Sequence, residues 1–271
     1  MGSNDVPPPH VPSYVIPMTG VILSIAGPLW TICYILHVRQ AFKTKSYGMP
    51  LLALTLNFGW EIVMGLFVAE ELLEKIVFII WLLLDIPLIY CFLQYGKNEW
   101  SHSPLITKNL HVVFAVLAFL SIAAVGSFSK WWVDNDVGRK EGKFYHGRLG
   151  PDTTELGYWT AAIIQLYIST SSLAQLLTRG HSGGVSYGIW ITRAIGSFLG
   201  LPVGYGILWY HWREAHEYFM SPFSVFMWTT TTISDVIYPF LLAYVRKTER
   251  TLSDGRKLPG ASLFNSYGKT Q

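Results

Sequence analysis

The chain has 271 residues, a formal net charge of +3, 51% hydrophobic residues and 14% charged residues, against about 25% charged in an ordinary soluble domain. So small a charge makes no nucleic-acid footprint, and no nucleic-acid partner is expected. The only two cysteines, Cys33 and Cys91, lie in apolar runs, which argues against a disulfide framework and a cysteine-built zinc site. What remains is a tightly packed soluble core or a polytopic membrane protein.

Run length decides between them. A bilayer span needs about 20 mostly apolar residues, and seven stretches qualify: 19–38, 50–69, 76–95, 106–128, 156–177, 187–210 and 223–245. The stretches mostly lack a polar face of the kind a soluble amphipathic helix carries. The expectation is an all-α polytopic membrane protein with seven transmembrane helices. A proline-rich N-terminal arm (1–18) precedes a seven-helix domain (19–245), and a polar tail (246–271) follows.

No basic region precedes the first span, so it does not read as a cleavable leader. Leaving out Arg193, which lies within a span, seven Lys and Arg fall on the side of the N-terminal arm and twelve on the other, Lys269 included. The bias predicts a lumenal N-terminus and a cytosolic C-terminus, with the endoplasmic reticulum as the expected membrane.

Short matches suggest an internal repeat. Ser46-Tyr47-Gly48 opens the second span and Ser186-Tyr187-Gly188 the sixth. Trp81, Asp85 and Pro87 in the third are echoed by Trp228, Asp235 and Pro239 in the seventh. Two three-helix units joined by helix 4 would stand parallel to one another; chance would also account for matches this short.

A charge at mid-membrane costs roughly 2.5–3.5 kcal/mol on insertion scales, so ionisable residues in the spans carry the most information. Glu61 lies about 16 Å into its helix at 1.5 Å per residue, Asp235 about 18 Å and Asp85 about 13 Å. Asn57 is one turn before Glu61 and within reach of its carboxyl. Trp228 and Tyr238 share a face with Asp235, and Pro239 frees a backbone carbonyl one turn back. Arg193, about 9 Å into its helix, either snorkels to the cytosolic surface or pairs with a carboxylate.

Three acids and one base leave at least one carboxyl without an ionic partner, and a buried, protonated carboxyl is a general acid in waiting. Each acid also admits a purely structural reading as an interhelical contact. Trp60, Trp81 and Trp228 stand beside the acids, where aromatic faces stabilise cations. Trp100, Trp131, Trp132 and Trp209 sit at span ends and read as an interfacial belt. No acidic metal-binding motif, zinc-protease helix, nucleophile elbow or P-loop occurs, so neither a metal nor a cofactor is expected.

Leu56-Asn57-Phe58-Gly59-Trp60-Glu61-Ile62-Val63, with Trp81-x-x-x-Asp85 and Ser234-Asp235 across seven spans, resembles the membrane-bound terpene cyclases of fungal meroterpenoid and indole-diterpene pathways. The resemblance implies a non-metal, cofactor-free cyclase. Such an enzyme protonates a prenyl chain, commonly at a terminal epoxide, on an aromatic, pyrone or indole head and closes rings through carbocations. It matches Glu61 and Asp235 to two essential acids, one delivering the proton while the other orients or recharges it. Asn57, Trp60, Trp81, Asp85, Arg193, Trp228 and Tyr238 are the expected substrate-binding residues. The expected partners are a lipophilic prenylated substrate, the bilayer, and an upstream epoxidase or prenyltransferase that hands the substrate over. A seven-helix small-solute transporter with midplane carboxylates is the alternative.

Overall fold

The computed structural model describes residue 2 and residues 4–260. Seven long apolar helices make the architecture: α1 (Val15–Thr44), α2 (Leu51–Val68), α3 (Leu72–Glu99), α4 (Leu110–Asp134), α5 (Thr153–Arg179), α6 (Tyr187–His211) and α7 (Pro222–Thr248). Each is the apolar stretch expected from sequence, most of them extended by a few residues at the ends. α4 departs most, because a one-turn helix at Pro104–Lys108 stops at Asn109 before the span begins. The remaining regular structure is a short helix at Arg213–His216 running into a 3-10 turn at Glu217–Met220, and two hairpins with strands of two residues, one within 144–149 and one within 250–258. The tail beyond Gly260, Lys269 included, lies outside the described residues.

Local chemistry sets the helix ends. Asp152, Ser186 and Ser221 cap α5, α6 and α7, each accepting a backbone N–H three residues on, the usual remedy for unpaired amides in a first turn. Gly180 ends α5 in the left-handed conformation at φ 62°. Two helices are interrupted by a π turn, at Met64–Val68 in α2 and at Leu199–Val203 in α6. The second contains Pro202, which cannot donate to the helical ladder.

Six helices form a ring in which each packs on the next in the order α1, α3, α2, α5, α7, α6 and back to α1. α4 stands outside it, against α2. The order repeats after half a turn: α1, α3, α2 are followed by α5, α7, α6. This is the arrangement expected of two three-helix units joined by helix 4, and the short matches at Ser46-Tyr47-Gly48 and Ser186-Tyr187-Gly188 fall at equivalent points. On that side the two loops lie against each other: Gly184 N–H donates to Thr44 at 2.8 Å and Arg179 Nη1 to the Tyr47 carbonyl at 2.8 Å. A Cβ on Gly48 would collide with the Gly184 carbonyl and the His37 ring, so only glycine fits.

The opposite side is closed by a cap. Lys143, fully buried in the α4–α5 connection, meets Asp5 of the N-terminal arm at 2.7 Å and Asp152 at 3.3 Å. Its ammonium also lies over Trp212, 4.7 Å from the ring centroid, and 3.4 Å from His216 Nε2. Burial and the neighbouring lysines push the His216 imidazole down to about 2, so the ring is neutral. With Lys143 able only to donate, Nε2 accepts and Nδ1–H donates to Tyr218 at 2.7 Å. Burial raises the Asp5 carboxyl above its usual range although Lys143 opposes the shift. Trp132, expected in an interfacial belt, is instead buried beneath the cap and donates to the Asp152 carbonyl.

Two outcomes follow from this packing. A Cβ on Gly59 would sit 2.9 Å from backbone atoms of Ser121 and Ile122 in α4, so Gly59→Leu should destabilise the protein by about 1–3 kcal/mol and visibly lower its melting temperature in detergent. Gly20→Ala, with nothing within 4 Å, should leave that temperature unchanged. Lys143→Met leaves two buried carboxylates without their cation, at a cost of about 3–5 kcal/mol. Limited proteolysis should then cut the α4–α5 connection that resists cleavage in the wild-type protein.

Candidate active site

Every ionisable residue predicted inside the spans is buried, and together they form two clusters, one in each half of the ring. In the first half, Asn57 and Glu61 are one turn apart on α2, and the Asn57 amide donates to Glu61 Oε1 at 2.8 Å. The same amide lies 3.4 Å from Asp85 Oδ2 on α3. Tyr34 of α1 completes the group: its hydroxyl donates to Glu61 Oε1 at 2.5 Å and accepts from Asn57 at 2.6 Å. Glu61 is 1% exposed and Asp85 0%. Glu61 Oε2 and Asp85 Oδ1 have no partner outside the pair, and the two carboxyls lie within hydrogen-bonding reach of each other.

The second half is built from the equivalent helices with different chemistry. Arg193 of α6 does not snorkel. It is 4% exposed and its Nη2 meets Asp235 Oδ1 of α7 at 2.5 Å. Its Nη1 donates to Ser172 of α5 at 2.8 Å, and its guanidinium lies 5.5 Å from the centre of the Tyr238 ring. Asp235 Oδ2 accepts from Ser169 at 3.1 Å, and Ser169 accepts in turn from Gln165 at 3.0 Å. The carbonyl that Pro239 frees is that of Asp235 itself, and the Trp190 indole N–H takes it at 2.8 Å.

The two clusters therefore share a plan: one helix of each unit contributes an hydroxyl, and the other two contribute the charged or amide groups. They differ in charge. The first holds two carboxyls and no cation, and the second holds a closed ion pair. α5 separates them. Its Ile164 and Ile168 face the apolar core around Tyr34, while Gln165 and Ser169 face Asp235. Among the described residues no hydrogen bond joins the clusters.

A cavity of about 340 Å³ lies between α5, α6 and α7, within the range of small-molecule sites. Its wall is largely apolar and aromatic, with Tyr158, Trp190, Trp228 and the π turn of α6. Asp235 is the one carboxyl among the described residues lining it. Ile195, Phe198 and Val236 belong both to this wall and to the outer surface of the bundle, where they are 43%, 50% and 57% exposed. The cavity thus reaches the apolar belt between α6 and α7.

Of the residues expected to bind substrate, Trp228 lines the cavity and Arg193 and Tyr238 stand behind Asp235. Asn57 and Asp85 join Glu61 away from it. Trp60 and Trp81 hold helices together, donating to Thr160 of α5 at 2.9 Å and Thr31 of α1 at 3.0 Å. Tyr34, Gln165, Ser169 and Ser172 were not anticipated. Gln165-x-x-x-Ser169-x-x-Ser172 makes a polar stripe at helical spacing in an apolar span, a signal present in the sequence. Among the described residues no group of three or more His, Cys, Asp or Glu is arranged to hold a metal ion.

Comparison with known proteins gives this geometry its context. Residues 3–248 match the profile of the Pyr4-like transmembrane terpene cyclases. Terpene cyclase ascF of Acremonium egyptiacum is 44% identical over 252 residues, covering 93% of this chain and 90% of its own. Pyr4-family terpene cyclase mfmH of Annulohypoxylon moriforme is 31% identical over 241 residues (88% and 91%), and terpene cyclase dpchB of Colletotrichum higginsianum 36% over 228 (83% and 86%). No solved structure matches the chain. With a match that runs from the N-terminal arm to the last turn of α7, and relatives aligned over most of both lengths, this chain belongs to the Pyr4-like transmembrane terpene cyclases.

Proposed function

We propose that this chain binds a lipophilic prenylated substrate, its chain epoxidised and carried on an aromatic or indole head, and folds it into fused rings by acid-initiated carbocation chemistry. The product is an isomer of the substrate, and the setting is secondary-metabolite biosynthesis. The observation that carries this reading is the cavity of about 340 Å³ with Asp235 as its one lining carboxyl among aromatic side chains. Such a chamber excludes water from a cation that water would quench.

The roles divide as follows. A proton passes to the epoxide oxygen, the C–O bond at the more substituted carbon breaks, and the cation left there is attacked by the next double bond. Each closure moves the charge along the chain until a base removes a proton. Asp235 touches the chamber and is the residue in contact with the reacting end. In the resting protein Ser169 and Arg193 hold its two oxygens as an ion-paired carboxylate. Asp235 takes up a proton as substrate enters, and the proton lost by the final cation balances the cycle. Asp235 passes its proton to the epoxide oxygen and returns to the carboxylate that the guanidinium stabilises. That carboxylate is then the counter-charge of the cation, while Trp190 and Trp228 offer π faces to it. Glu61 is the second acid. Its cluster contains two carboxyls and no cation, and carboxyls sharing one low-dielectric site retain a proton between them. Because no hydrogen bond among the described residues joins the two clusters, this reserve recharges Asp235 between turnovers and takes no part in the transfer to the epoxide.

The domain limits follow from the same reading. The seven-helix domain is the catalytic body, and the arm (1–18) and the α4–α5 connection close one mouth of it. By the charge bias the capped mouth is lumenal and the tail cytosolic, in the endoplasmic reticulum. Substrate reaches the chamber from the bilayer between α6 and α7 after hand-over from an upstream prenyltransferase and epoxidase.

Microsomes containing the protein are incubated with an epoxyfarnesylated aromatic acid and an epoxygeranylgeranyl indole, and chromatography with mass detection follows products of unchanged mass. Asp235→Asn and Glu61→Gln should each lower conversion by about 100-fold or more while the protein still inserts. Full activity in both variants would remove the acid mechanism. Ala194→Trp, which fills the cavity, should abolish conversion without lowering the melting temperature, whereas Trp81→Phe, away from the cavity, should retain it.

A further inference from the structure

Buried polar atoms in a native protein almost always have a partner, so each exception asks for an explanation. Two residues that line the cavity each carry a buried side-chain atom with none: Ser197 Oγ of α6 and Trp228 Nε1 of α7. Many residues of the same types in the membrane-spanning helices are satisfied within the protein. Thr160, Thr170, Thr192, Thr229, Thr232 and Ser234 turn their hydroxyls back onto a carbonyl of the preceding turn; Ser197, 5% exposed and placed just before the π turn of α6, does not. Trp60, Trp81, Trp100, Trp132, Trp159 and Trp190 each donate the indole N–H to a protein acceptor. Trp228, stacked on Phe219 at an interplanar angle of 9°, has its N–H buried with no acceptor.

An indole N–H can only donate, and a serine hydroxyl donates or accepts. The chamber therefore offers donors to an oxygen on a ligand that is otherwise hydrocarbon. Trp228 and Asp235 are two helical turns apart on one face of α7, and Ser197 is one turn after Arg193 on α6, so the donors stand on the same wall as the carboxyl. We propose that Trp228 and Ser197 form an oxygen-recognising subsite that binds an oxirane or hydroxyl of the prenyl chain beside Asp235 and so selects oxygenated chains over bare olefins. The proposal rests on the reading of this cavity as the cyclisation chamber. It adds the group that recognises the substrate's oxygen before the proton arrives.

The test measures binding apart from turnover. Two probes are used: a phenol ether carrying a saturated farnesyl-length chain with a terminal epoxide, and the same ether without the oxygen. Neither has a double bond to attack a cation, so neither is cyclised. Equilibrium binding is measured on the full-length protein in detergent. Trp228→Phe and Ser197→Ala should each weaken the epoxide about three- to tenfold, the range of one lost hydrogen bond, and leave the oxygen-free ether within about twofold.

Unchanged epoxide binding in both variants, or parallel loss of both probes from variants with wild-type melting temperature, would overturn the subsite. In either case isomerisation of the unsaturated epoxide by the wild-type protein would leave the chamber standing. If the wild-type protein binds neither probe and isomerises nothing, the chamber fails and the subsite with it. Should Trp228→Phe not fold, Ser197→Ala, which removes a single atom, decides the matter.

Discussion

A charge placed in the middle of a bilayer must be balanced inside the protein, and this fold balances its charges in two different ways. In the second half, Arg193 cancels Asp235 directly at 2.5 Å. In the first half, no cation stands beside Glu61 and Asp85; the Asn57 amide is shared between them and the Tyr34 phenol donates to Glu61. Two units of the same design thus separate two electrostatic jobs. One holds a fixed dipole against a cavity, and the other holds a pair of carboxyls kept from water. On the proposed mechanism the first cluster keeps a proton in reserve, and the second carries the carboxyl that meets the substrate and then the cation.

The apolar wall matters as much as the acids. A carbocation is quenched by any nucleophile within reach, so the chamber presents π faces and keeps its one carboxylate occupied by Arg193 and Ser169. The cap on one side and the interlocked loops on the other close both polar approaches. Lys143 holds three chain segments together there, and Glu99 gathers Arg179 and His181 on the opposite face. The approach left is the apolar one, past Ile195, Phe198 and Val236.

Much of this was legible in the sequence. The spans follow from run length, the Asn57–Glu61 contact from a spacing of one turn, and the carbonyl freed at Asp235 from Pro239. Other features were hidden because residue type alone does not report a partner. Tyr34 reads as one more aromatic in an apolar helix until the fold brings α2 beside it. Trp60 and Trp81 stand near the acids along the chain, yet their indoles face neighbouring helices. The basic α4–α5 connection diluted the charge bias because a count treats Lys143 as a free cation, whereas Asp5 and Asp152 absorb its charge. The π turns left only weak marks, Pro202 with Gly200 and Gly204 around it. That segment forms part of the cavity wall, and an irregular turn is not encoded by periodicity.

One helix remains outside both clusters and the cavity. α4 contributes no residue to the cavity wall, and it packs outside the ring against α2. Its effect is one of parity. Three helices reverse the direction of the chain, so a second triplet joined directly to the first would run upside down in the membrane. The extra crossing restores the original sense, and the two triplets then close a ring with like ends together. The odd number of crossings is therefore what lets the two triplets, an acid half and an ion-paired half, stand the same way up in one ring. A chain lacking that crossing would present the same side chains to opposite leaflets.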